Sequence, residues 1–287
     1  MKKQIAIVAV MGASLLVNMT ARAADQATLP SDATHAASPT PLLDKAFEEE
    51  RMRQLGIEPG TRKAELFAEW VGKARQDPYF QRYVLSHAGS GMSQVFGEQM
   101  MVSGIARVSS ADRARYFALV GQIFDERAPK DCYGEVRPDA VMRKLVVFGN
   151  MTDAEAAEYL EITYRAMLAA AHDDAVVVPA PADVQAANVD FGRVLENDVK
   201  GDEANVRRLA GVLADSPQAT VADRCWALGL VMHAWNAVPE KSREALQSQG
   251  TARAYAKTLA AQPAPVPPAP KGSTAPTNSK AAGAQHL

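Results

Sequence analysis

One stretch restricts this chain more than any other: residues 220–238, TVADRCWALGLVMHAWNAV, whose formal charges, Asp223 and Arg224, both fall in the first turn. At 3.6 residues per turn, Cys225, Leu228, Gly229, Met232 and Trp235 form one stripe, and Trp226, Leu230, His233 and Ala237 form a second. A helix that is apolar nearly all round belongs inside a bundle. A bilayer span needs about 20 apolar residues, which this stretch does not supply. It is read as the central helix of an all-α protein, with His233 as a core histidine and not a metal ligand.

The same helix carries Cys225, one of 2 cysteines in the chain; the other is Cys132. Their redox state depends on the compartment, and the N-terminus speaks to that. Met1-Lys2-Lys3 is a basic start, Ile5 to Val17 is apolar, and Ala21-Arg22-Ala23 has the small-x-small form of a cleavage site. This is the pattern of a secretory signal peptide over residues 1–23. Two cysteines in an exported chain predict one disulfide, Cys132–Cys225. Closing so long a loop stabilises a fold by roughly 4–5 kcal/mol on the chain-entropy account. No CxxC pair is present, so thiol–disulfide exchange chemistry is not expected.

Removing residues 1–23 takes away three basic residues and no acid, so 31 basic residues become 28 against 33 acidic, a net charge of −5. A nucleic-acid partner would call for a clustered basic face instead, and stable membrane insertion after signal cleavage is not expected. Residues 24–41 are rich in Ala, Thr, Ser and Pro and read as a flexible leader. Residues 263–287 open with PAPVPPAP and read as a disordered Pro/Ala tail with polyproline-II character. Between them, residues 42–262 form the predicted helical domain, with a subdivision expected near 176–182, where VVVPAP reads as an extended connector.

Within that domain the pattern is helix after helix. Helices are expected over 42–55, 61–76 and from Asp77-Pro78 to Ser86, with Gly89-Ser90-Gly91 as a break. Three boxes, Ser109 to Asp112, Thr152 to Glu155 and Thr220 to Asp223, each set a hydroxyl three residues ahead of an acid and mark helix starts. Further helices are expected near 183–199 and 202–214. Pro239 opens a last one, with Gly250 as its weak point. The fold class is an irregular multi-helix bundle with one internal disulfide and disordered ends.

For function, the stretch from Gly91 to Gly104 stands out. Gly97 and Gly104 lie two helical turns apart on one side, where small residues let another backbone approach. Met92, Met100 and Met101 flank that line, and methionine adapts to irregular partners. These five residues are the candidate partner-binding surface. Glu98, isolated in an apolar helix, is the candidate general acid of an alternative reading, a cell-wall-directed hydrolase; Glu69 beside Trp70 is a lesser choice. His87-Ala88-Gly89-Ser90-Gly91 does not meet the nucleophile-elbow pattern. His172, Asp173 and Asp174 are adjacent and point different ways along a helix, a poor metal shell. No phosphate-cradling glycine loop is present, and neither a metal nor a cofactor is expected.

The chain is therefore expected to be an exported, periplasmic or secreted protein that binds a protein partner in the cell envelope without chemistry. An inhibitor, an immunity factor and an assembly component all fit that description. The hydrolase reading and a structural envelope spacer, in which the tail matters most, are the alternatives.

Overall fold

A computed structural model describes residues 52–53, 55–87 and 94–260, with the side chains of 84–87 and 94–98 outside the description. The signal peptide, the leader, the Gly89–Gly91 break and the tail lie outside the described residues. Among the described residues every regular element is helical. In chain order these are α1 (Arg62–Gln76), α2 (Pro78–His87), α3 (Gln94–Ile105), α4 (Ser110–Arg127), α5 (Pro138–Leu145), α6 (Asp153–Ala171), α7 (Pro181–Asp198), α8 (Glu203–Leu213), α9 (Val221–Ala237) and α10 (Glu240–Ala260). Short 3₁₀ turns occupy Cys132–Gly134 and Phe148–Asn150.

The starts of these helices follow local chemistry. Ser109, Thr152 and Thr220 each accept a hydrogen bond from the backbone N–H three residues on, as the boxes predict. At Thr152 and Thr220 the acid returns the bond to the cap backbone, completing the reciprocal box. Thr61 caps α1 by accepting from the Ala64 N–H, and Asp202 caps α8. Proline occupies a first-turn position in α5 and α7, where its missing N–H costs nothing.

Two helices organise the packing. α6 lies against α1, α2, α3 and α4, while α9 lies against α4, α7, α8 and α10. α4 joins the halves because it touches α6, α9 and α10. The main core runs through both, from Phe67, Ile123, Phe124 and Phe148 to Phe191, Val231, Met232 and Trp235. The expected connector is extended, with Val177 and Val178 exposed and the Val177 N–H donating to the Ala106 carbonyl oxygen. Across it, α10 packs on α3 and α4.

The disulfide is present: Cys132 and Cys225 are bonded, with Cα atoms 5.4 Å apart and both residues buried. It ties α9 to the turn after α4. There Cys132, Tyr133 and Gly134 take successive left-handed φ values of 45°, 60° and 74°, a conformation that costs roughly 1 kcal/mol for each non-glycine residue.

Three expectations are corrected. α9 is not buried all round: Cys225, Ala227, Leu228, Val231, Met232, Ala234 and Trp235 are inside, whereas Trp226 and Leu230 are half-buried and Ala237 is exposed. His233 is not a core histidine. Its side chain is 56% exposed and its Nδ1 lies 2.9 Å from Asp198 Oδ2 on α7. An apolar run in sequence gives no preference among helix faces; neighbouring helices choose. Nor does Gly250 weaken α10, which runs through it unbroken. A Cβ there would meet the Trp235 ring at 3.1 Å, so the glycine is the notch that admits that ring.

Candidate functional site

Gly104, the described end of the small-residue line of α3, is used inside the molecule. A Cβ on Gly104 would come within 2.1 Å of the Ala166 carbonyl oxygen, so α3 and α6 touch backbone to backbone. Met100 is 2% exposed, and Met101 packs partly buried against Ile105, Ile162 and Ala166. As a partner surface, then, Met100 and Gly104 are corrected: Met100 is buried, and at Gly104 α6 already fills the place a partner would take. Met92 and the side chains of Gly97 and Glu98 lie outside the described residues. Glu69 is exposed and sits 3.5 Å from Arg62.

Just beyond that line the chain does something its pattern does not announce. α3 ends at Ile105, and two arginines gather its last carbonyl groups. Arg113, 1% exposed, donates to the carbonyl oxygens of Ile105 at 3.1 Å and Val108 at 2.8 Å, and to Ser248 Oγ at 2.7 Å. Burial lowers its pKa, against a pull from Glu244. Cations at a helix C-terminus meet the negative end of its dipole, so Arg113 is a structural clamp.

Arg107 differs. Its side chain is 6% exposed. Nη1 donates to the Ser103 carbonyl oxygen at 3.1 Å and Ser103 Oγ at 2.7 Å. Nη2 donates to the Tyr255 hydroxyl and to Asp173 Oδ1, each at 3.0 Å. The guanidinium carbon also lies 4.4 Å from the centre of the Tyr255 ring, a cation–π contact. Nε, by contrast, is buried and has no hydrogen-bond partner among the described residues. Burial alone would lower the arginine's pKa; the Tyr255 hydroxyl and then Asp173 more than reverse that, so it rises.

Three helices and two turns build this pole. α3 supplies Ser103, the turn after it supplies Arg107, and α10 supplies Tyr255. α2 supplies Tyr83, whose pKa is pushed up by burial and then by Tyr255. The turn after α6 supplies Asp173, which is 89% exposed at its side chain and held at a left-handed φ of 54°. Beside it, His172 caps α6 with its ring centre 4.3 Å from that of Tyr79, which is 48% exposed. Arg82 lies 5.5 Å from the centre of the same tyrosine ring.

Elsewhere the chemistry is sparse. An apolar cavity of about 30 Å³ beside the disulfide, lined by Val136, Val141, Val212 and Leu228, has room for little more than a water molecule. Among the described residues no three His, Cys, Asp or Glu side chains gather as metal ligands would. Glu155 is buried under Arg127 at 2.5 Å and accepts the Thr152 N–H at 2.6 Å. Burial would raise its pKa, but those two partners win and lower it.

Sequence reasoning named Asp173 only as a poor metal ligand and stopped at Gly104, three residues short of Arg107. The available signal was an arginine directly after an apolar helix, which is the usual place for a cation that caps helix carbonyls. Nothing in the spacing says that Tyr83, Tyr255 and Asp173 converge on it. Comparison of the chain with models of known families, with curated proteins and with solved structures finds no match in any of the three, so the functional reading rests on this geometry.

Proposed function

We propose that this is an exported protein of the cell envelope that binds a protein partner without chemistry, and that it does so at the pole formed by Arg107, Tyr83, Tyr255 and the exposed Tyr79. Export is supported by the signal pattern of residues 1–23 and by a disulfide, which persists in oxidising compartments. One observation carries the binding reading: a shielded guanidinium whose Nε–H has no acceptor among the described residues, paired with Asp173, whose chain neighbour His172 lies against the exposed ring of Tyr79. Buried donors are nearly always paired in folded proteins, and one that is not costs about 1–3 kcal/mol. Arginine and tyrosine are also the side chains that most often anchor interfaces.

A photo-crosslinking residue in place of Tyr79, in the full-length chain exported by its own leader, tests this. The expected result is one discrete protein adduct in envelope fractions that disappears when Arg107→Lys is added. Adducts that are absent, or that persist unchanged with Arg107→Lys, exclude this pole as the binding site.

A further inference from the structure

The Arg107 guanidinium presents two edges, and they are not equally satisfied. The Nη1 side is committed to the C-terminus of α3 through Ser103, by both a carbonyl and a hydroxyl oxygen. The Nε/Nη2 edge carries two parallel N–H groups. Nη2 donates both to the Tyr255 hydroxyl and to Asp173 Oδ1, each at 3.0 Å, while Nε–H is without an acceptor among the described residues. Arginine and carboxylate fit best when two parallel N–H groups meet two oxygens. The internal carboxylate therefore fills half of a two-point site.

The residue that fills it is placed unusually. Asp173 follows the C-cap of α6, a position where glycine is normally favoured because φ is positive. Its side chain is 89% exposed, although the arginine it touches is 94% buried by the same measure, at 6% exposure. A solvated carboxylate on a strained turn is easily exchanged, whereas the arginine is fixed by Ser103 and Tyr255. From the half-met edge and the exchangeable cover we propose that Arg107 receives the free C-terminal carboxylate of a peptide, with Asp173 as the internal occupant that it displaces. This rests on the binding reading above and names its ligand class.

Charge and shape favour a carboxylate over a phosphate. The cation that meets Asp173 is Arg107, with Arg82 over the Tyr79 ring, and the polar groups around Arg107, the Ser103, Tyr83 and Tyr255 hydroxyls, are neutral. One positive charge matches one negative charge, and the exposed acids Asp173 and Asp174 at the rim oppose a dianion. The flanking ring of Tyr79 offers a flat surface for the side chain next to the terminus. Displacement also explains the role of Asp173. A tethered competitor weakens every incoming carboxylate by a constant factor and keeps the buried cation paired when no ligand is bound.

The test is an NMR titration of the full-length chain with short peptides of one sequence in two forms, free acid and C-terminal amide, and with inorganic phosphate. Affinities near the millimolar range, about 1 mM, are sufficient for the readout. Resonances of Tyr83 and Tyr255 are expected to shift with the free acid, and the amide to bind at least about tenfold more weakly. Asp173→Asn, a change at an exposed side chain, is expected to tighten the free acid by about tenfold and leave the amide unchanged. Equal binding of acid and amide, preference for phosphate, or no binding of the acid to either wild type or Asp173→Asn overturns the proposal. A partner captured at Tyr79 but indifferent to free-acid peptides overturns the carboxylate inference alone. Free-acid binding with no Arg107-dependent adduct overturns the protein-partner reading and leaves the carboxylate site standing.

Discussion

Gly104 and Ala166 meet with no room between them: a Cβ added to the glycine would lie 2.1 Å from the Ala166 carbonyl oxygen and 2.4 Å from its carbon. The obstacle is backbone on a helix core, so it cannot rotate away. Gly104→Ala gains about 1 kcal/mol of helix propensity and forces α3 and α6 apart at a cost of about 3 kcal/mol. The expected result is a loss of about 2 kcal/mol, a fall in Tm of roughly 4–8 °C in thermal melting. An unchanged Tm would mean that α3 and α6 separate freely, and that the glycine line is open to a partner after all.

The disulfide closes a loop with a sequence separation of 93. Replacing both Cys132 and Cys225 by alanine removes that restraint on the unfolded chain, at a cost of roughly 4–5 kcal/mol. Urea unfolding of the wild type with and without reductant, beside the double variant, measures it. The reduced protein and the variant are expected to share one lowered midpoint.

Glu155 gives the fold an acid limit. Its pKa is below the ordinary 4.5, because Arg127 and the Thr152 N–H together outweigh the effect of burial. A depressed carboxylate contributes stability that is fully present above its unfolded pKa and is lost as pH falls through the folded one. Asp223, drawn down to about 2 by the Thr220 hydroxyl and backbone and by Arg208, adds a contribution that is lost lower still. Between about pH 5 and pH 3 the wild type is expected to lose more stability than Glu155→Gln. Denaturant curves at both values check this, and parallel losses would rule out the carboxylate as the cause.

Asp173→Gly sets two small terms against each other. Glycine relieves the left-handed φ of 54°, worth about 1 kcal/mol. It removes an ion pair whose acid is 89% exposed, worth roughly 0–1 kcal/mol. Melting temperatures of the two proteins are expected to agree within about 3 °C. A much larger loss would mean that Asp173 holds the fold together, and that the turn is not free to exchange its carboxylate.

Arg113→Met keeps the apolar stem and deletes the donors to Ile105, Val108 and Ser248. Three buried acceptors then lose their partner, and roughly 3 kcal/mol is expected to go with them. Urea midpoints measure the loss. A near-neutral result would show that solvent reaches the end of α3, against its 1% exposure.

Legibility followed distance along the chain. The caps at Ser109, Thr152 and Thr220 were readable because a side-chain oxygen and the N–H it accepts from lie within one turn. The Cys132–Cys225 bond was readable because two cysteines allow one pairing. His233, Gly250 and Arg107 were not. His233 reaches Asp198 on α7, Gly250 makes space for Trp235 on α9, and Arg107 joins Tyr255 on α10 to Asp173 after α6. Each of those partners is set by how helices dock, and apolar periodicity does not rank one docking above another.

By itself, then, the sequence determined a helical chain, the capped helix starts at Ser109, Thr152 and Thr220 and the covalent tie between Cys132 and α9, since each depends on one local pattern or one pairing. Only the tertiary structure decided that Gly104 of α3 is spent against Ala166 of α6 and that a half-satisfied arginine stands just past the same end of that helix. The physical reason is that burial and unmet hydrogen bonds belong to groups brought together from distant parts of the chain, and they come into being only when the helices pack.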